Sequence, residues 1–161
     1  GTRISDIVKN ISLTAEYTRN NVLAYKHYNP ETTFETTKYN MGHYLRDNAQ
    51  ELFLQLSWKP APRLWFDISY LHANKGPDYP DNREEVDPIT GEDIIFTYPF
   101  QDRIIWEKTS YAFQTRYEIV NDLNVRLQVE MSDVRDDGNV YTPSRFQGEQ
   151  ITTTFAISAG F

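Results

Sequence analysis

Three histidines, His27, His43 and His72, are the side chains of this sequence best suited to moving protons near neutral pH. A hydrolase would need one of them beside a carboxylate and a nucleophilic hydroxyl. His43 stands four residues before Asp47 and serines are scattered along the chain, but no spacing makes the three groups converge. The sequence holds no Gly-rich phosphate loop, dinucleotide fingerprint, HExxH or G-x-S-x-G motif. His43 therefore reads as a loop hydrogen-bonding group and His72 as a residue near a strand end. We expect no enzyme, no cofactor and no metal centre.

Two other groups of residues could bind rather than react. The stretch from Gly76 to Ile104 carries Asp78, Asp81, Glu84, Glu85, Asp87, Glu92, Asp93 and Asp102. Oxygen ligands at this density can hold Ca²⁺, but the spacing is not that of an EF-hand loop, and solvated charge is the better reading. Within it, Asp87 to Glu92 reads as a turn between strand-like pieces, the second Asp93 to Thr97, which makes a hairpin. Tyr79, Tyr98, Phe100, Tyr141 and Phe146 lie in polar stretches. Their rings suit packing of loop on loop, docking of a protein partner or stacking on a sugar face, in that order of preference.

Composition narrows the classes. With no Cys there are no disulfides and no thiolate metal or catalytic sites. A net charge of -7 argues against a nucleic-acid binder, which needs a basic face. No apolar run reaches the roughly 18 residues of a spanning helix, but a transmembrane strand needs only alternate residues apolar, so mean hydropathy decides nothing.

The elements that must position these residues alternate with period two. Ile151, Thr153, Phe155, Ile157, Ala159 and Phe161 share one face; so do Leu123, Val125, Leu127, Val129 and Met131, and Tyr111, Phe113, Thr115, Tyr117 and Ile119. Leu52, Leu54, Leu56 and Trp58, then Leu64, Phe66, Ile68 and Tyr70, repeat the pattern, and a first strand runs from Ile7 to Thr18. About six strands and no amphipathic helix result. On the partner faces stand Asp67, Arg116, Glu118, Arg126, Gln128 and Glu130, candidates to line a lumen or to form a static ladder of cross-strand pairs.

Connections alternate too. Those at about 59–63 and 120–124 are short, whereas those at about 20–49, 74–104 and 134–150 are long and polar. A two-residue turn at Asn121-Asp122 would pair even positions with odd ones, and a three-residue turn would set Arg116 opposite Arg126. A five-residue connection, about Val120 to Asn124, puts Glu118 there instead and is the expected form. Short turns at one rim and long loops at the other are the signature of an outer-membrane barrel, with short turns in the periplasm and long loops outside. The expected fold is thus all-β, an antiparallel transmembrane β-barrel, with its C-terminus periplasmic and the bilayer as partner. A soluble barrel or sandwich is the alternative, since period two alone does not say which face is inside.

Six strands are too few to close, because single-chain bacterial barrels begin at about eight. The expectation is that the chain is the C-terminal segment of a larger barrel. The rival is an eight-stranded closure using residues 21–40, which could form a hairpin turning at Asn29-Pro30-Glu31.

Tyr39-Asn40-Met41-Gly42-His43-Tyr44-Leu45-Arg46-Asp47-Asn48-Ala49-Gln50-Glu51-Leu52, Trp58-Lys59-Pro60, Ser69 to Tyr79 and Val140 to Gly148 carry a resemblance. Over about 39–161 the chain resembles the C-terminal part of Bacteroidota-type, Gram-negative barrels of the Wzi-like capsule assembly family. The closing Phe155, Ile157 and Phe161 resemble the signal read by the barrel-insertion machinery. The resemblance implies an outer-membrane, porin-like protein that assembles or attaches surface polysaccharide. Alternatives within the same architecture are a barrel subunit of a multiprotein outer-membrane complex and a diffusion pore.

Overall fold

The computed structural model describes residues 1–24, 35–36, 39–40, 43–79, 84–86, 93–95 and 98–160. In chain order its strands are β1 (Thr2–Val8), β2 (Ile11–Asn20), β3 (Glu35–Thr36), β4 (Tyr39–Asn40), β5 (Ala49–Ala61), β6 (Leu64–Lys75), β7 (Glu84–Val86), β8 (Asp93–Ile95), β9 (Trp106–Val120), β10 (Leu123–Asp136) and β11 (Gly148–Ala159). Seven of them form one antiparallel sheet in the order β1-β2-β5-β6-β9-β10-β11, while β3 pairs with β4 and β7 with β8. The latter pair is the hairpin expected across Asp87 to Glu92, residues that lie outside the described ones. In the former, Glu35 pairs with Asn40 and Thr36 with Tyr39; the hairpin turn expected at Asn29-Pro30-Glu31 lies outside the described residues.

The large sheet is not closed. A barrel's first and last strands must hydrogen-bond to each other, whereas here β1 and β11 are the two edges. The transmembrane barrel expected from alternation and loop length is therefore not the fold. What depended on closure falls with it: the outer-membrane location, the bilayer and the insertion machinery as partners, the capsule-assembly role, and the barrel-subunit and pore alternatives. Of the expected insertion signal, Phe155 and Ile157 are exposed on β11, and Phe161 lies outside the described residues.

Two local readings change as well. The single first strand is two, because Lys9 and Asn10 turn the chain, with Asn10 in the left-handed region at φ 66°. Ile7, Ile11 and Leu13 share a parity, so alternation ran through a turn that no Gly or Pro marks. At the other site β9 and β10 meet in the two-residue turn that parity had disfavoured, with Asp122 at φ 67°. Leu123 faces Val120 and Asn124 faces Glu118, so a one-residue bulge beside the turn restores the even-to-even match. The consequence is a direct Arg126–Arg116 pair, not the expected Glu118–Arg126 one.

The chain divides into two compact units. One comprises Gly1–Thr18, Glu51–Ala73 and Trp106–Phe161; the other comprises Arg19–Gln50 and Asn74–Ile105. In the first, exposure along the strands is inverted relative to an ordinary water-facing sheet. Leu52, Leu54, Leu56 and Trp58 of β5 are exposed, while the intervening Glu51, Phe53, Gln55 and Ser57 are half-buried. The apolar face continues through Ile68, Tyr111, Phe113, Leu127 and Met131 to Ile151 and Phe155, which are 72% and 64% exposed at the β11 edge. Rings cluster on it, with Phe66 5.7 Å from Trp58 and 6.0 Å from Phe113, and Tyr70 5.2 Å from Tyr111.

The second unit is organised by polar groups. Asn48, 1% exposed, donates its Nδ2 to the Pro77 carbonyl at 2.9 Å and accepts the Gln101 N–H at 2.8 Å, while its own carbonyl accepts the Gly76 N–H at 2.8 Å. Buried Lys75 donates to the Asp47 carbonyl and to Asp78, both at 2.7 Å, and Asn20 donates to the Arg46 carbonyl at 2.8 Å. A Cβ at Gly76 would collide with the Asn48 amide, so glycine is required by close approach. Stretches that read as long polar loops thus contain the most deeply buried polar residues described, because each finds a backbone partner.

Candidate binding cleft

Alternation puts Gln55, Ser57 and Lys59 of β5, Trp65 and Asp67 of β6, and Gln114 and Arg116 of β9 around one cleft of about 490 Å³ on the polar face. Arg3 of β1, Asn10, Ile11 and Ser12 at the β1–β2 turn, and Trp58 of β5 complete its wall. Adjacency of β5, β6 and β9 in the sheet makes this possible although the chain separates them widely.

Asp67 is the hub of its floor. Its Oδ1 accepts Ser57 Oγ at 2.5 Å and Gln55 Nε2 at 3.2 Å, and its Oδ2 accepts Gln114 Nε2 at 3.2 Å. Gln55 also donates to Ser57 at 3.1 Å. Three donors on two flanking strands hold this carboxylate in place, so its task is to tie β5, β6 and β9 together. Toward the turn end, Trp65 is flanked by the cations of both neighbouring strands: the Arg116 guanidinium carbon is 4.3 Å and Lys59 Nζ 4.6 Å from its ring centroid.

The six residues expected to line a lumen share the polar face of the open sheet. Asp67 and Arg116 belong to the cleft, and Arg126 stands opposite Arg116. Gln128 faces Gln114 and Thr154; Glu118 faces Asn124. Glu130 pairs with Lys108 at 3.2 Å. The sequence did not signal Trp65, Lys59 or Arg3, because Trp65 breaks the polar parity of its face and Lys59 stood in an expected turn.

The aromatic candidates separate into packing partners. Tyr79 and Tyr98 stack at 4.4 Å, and Arg19 sits 3.9 Å over Phe100. The Asp102 carboxylate, by accepting the Tyr79 hydroxyl, holds the phenol above its ordinary pKa, with lost hydration and the Asp102 charge acting in the same direction. Tyr141 belongs to a loop built on buried Asp136, whose carboxylate accepts the backbone N–H of Val140 at 3.3 Å, Tyr141 at 2.7 Å and Thr142 at 2.6 Å. Phe146 is exposed on a 3₁₀ turn beside Arg145, at 4.8 Å.

Of the histidines, His43 lies against Tyr44 at 4.7 Å and its Nδ1 accepts the Leu45 N–H at 3.4 Å. His72 Nδ1 is 3.0 Å from Thr109 Oγ1, and Glu107, 4.0 Å from His72, is bound by Arg135 at 2.7 Å. His27 lies outside the described residues. Among the described residues, no group of three His, Cys, Asp or Glu could hold a metal ion.

Comparison with protein-family models, curated proteins and solved structures found no match. The Wzi-like resemblance does not stand either, since that family's barrel would require the sheet to close and its edges are separate.

Proposed function

We propose that this chain is a non-catalytic docking module whose apolar sheet face is covered by the same face of a second copy of the chain, making a two-layer β structure. The inverted exposure of β5 to β11 carries this reading. A dozen or so large side chains at about half exposure amount to on the order of 1,000 Å², more than the few hundred Å² that soluble monomers leave bare in one patch. It is also the area that one side of a stable interface contributes. The composition fits: interface centres are rich in Trp, Tyr, Phe and Met and poor in charge, and this face presents Trp58, Tyr111, Phe113, Met131 and Phe155 without an ionised group between them. Burying it removes apolar surface from water, the main favourable contribution to most protein association.

Support for a non-catalytic role comes from Asp67, the carboxylate of the cleft, both of whose oxygens accept hydrogen bonds from side chains of the flanking strands. The deciding experiment is covalent surface labelling with light scattering on the purified protein. Self-assembly, with Leu127 and Phe155 protected and Leu127→Arg dissociating it, is the expected outcome. A stable monomer at micromolar concentration with both residues labelled would overturn the reading.

A further inference from the structure

The polar face carries a charge arrangement that folding alone does not account for. Arg3, Lys59 and Arg116 line one cleft in a chain of net charge -7, and among the described residues no carboxylate lies within ion-pair range of any of them. Asp67, the acidic residue in the wall, has its oxygens occupied by Ser57, Gln55 and Gln114. Arg126 adds a fourth cation directly opposite Arg116, although like charges in facing positions destabilise a sheet. The bulge beside the Asn121-Asp122 turn sets this pair; a register placing Glu118 there would have avoided it.

Trp65 explains how the cations are held, not why they are there. Placed between Lys59 and Arg116, its ring holds both head groups by cation–π attraction, and both side chains remain exposed. With both cations against the ring, the cleft is poorly disposed to stack a neutral sugar. It suits a group that accepts several N–H bonds and carries more than one negative charge, because a guanidinium fork matches the edge of an oxyanion and an ammonium adds a point charge beside it.

We propose that the cleft formed by Arg3, Lys59, Trp65 and Arg116, with Arg126 facing Arg116 from the next strand, is a binding site for a multiply charged oxyanion, the phosphate or sulfate groups of a small ligand. About 490 Å³ accommodates a ligand of that kind. The site is on the face opposite the docking surface and stands or falls independently of it.

Inorganic pyrophosphate and sulfate are the probes, titrated calorimetrically into the full chain at constant ionic strength. Saturable one-to-one binding of pyrophosphate is expected, tighter than that of sulfate, weakened at least tenfold in Arg116→Gln and Arg126→Gln. Arg135→Gln, whose partner is Glu107 away from the cleft, should bind as the parent does. A second readout separates a binding site from a structural one. Because Arg126 is held against like charge, Arg126→Gln should raise the melting temperature of the ligand-free protein by about 1–3 °C while binding is lost. Absence of saturation by 10 mM pyrophosphate, equal weakening in Arg135→Gln, or a lowered melting temperature in Arg126→Gln would each overturn the proposal.

Discussion

At the scale of single residues, Asn48 is the side chain on which the second unit depends most. Its amide satisfies Pro77 and Gln101 at once, so Asn48→Ala strands a half-buried N–H and a half-buried carbonyl. We expect a loss of about 1–3 kcal/mol in chemical denaturation, and a comparable loss for Gly76→Ala, whose methyl must displace that amide. Tyr79 offers a check that needs no unfolding. Asp102→Asn should bring its titration, followed by NMR, down toward the ordinary tyrosine value near 10.0. The sign for stability follows: the raised pKa contributes below the ordinary value, and the contribution is lost as pH rises through the folded value. None of these roles was visible beforehand. Asn48, Gly76 and Gln101 come from three separate stretches, and an asparagine in a polar run looks the same whether it is solvated or buried against a distant carbonyl.

At the scale of elements, the β9–β10 hairpin is the sharpest test of local rules. Asp122 sits at φ 67°, which a β-branched residue tolerates badly. Asp122→Val should cost about 1–2 kcal/mol in thermal unfolding, while Asp122→Gly should be neutral or better. This hairpin also shows where pattern reading succeeds and where it stops. Alternation located β5, β6, β9, β10 and β11 and their two faces, since a half-buried strand writes its period directly into the sequence. It misjudged the turn because a bulge is a one-residue change of parity with no compositional mark, and Ile119 looks like any other strand isoleucine. It missed β1 for the opposite reason: parity was kept across Lys9-Asn10. Trp65 escaped notice because a lone aromatic on a polar face is seen only once its neighbours are known.

At the scale of the whole molecule, the alternation was sound but the inference from it to a closed barrel was not. Which side of a sheet is covered, and whether its edges meet, depends on pairings between strands far apart in the chain, and period-two patterning is silent about both. The paired substitutions Leu127→Arg and Gln128→Arg test the face assignment: the first should abolish assembly measured by light scattering, the second should leave it intact. The strand order has a consequence of a different kind. Each long strand pairs with the next long strand in the chain, so no segment has to be inserted between two already in place. Loop closure is least costly for β9, β10 and β11, joined by a two-residue turn and an eleven-residue connection, and most costly for β6 with β9 and β2 with β5, which are joined by the two longest connections. Folding should therefore begin at the C-terminal meander and spread toward β1, so that a chain emerging N-terminus first has its earliest-made strands waiting for its latest.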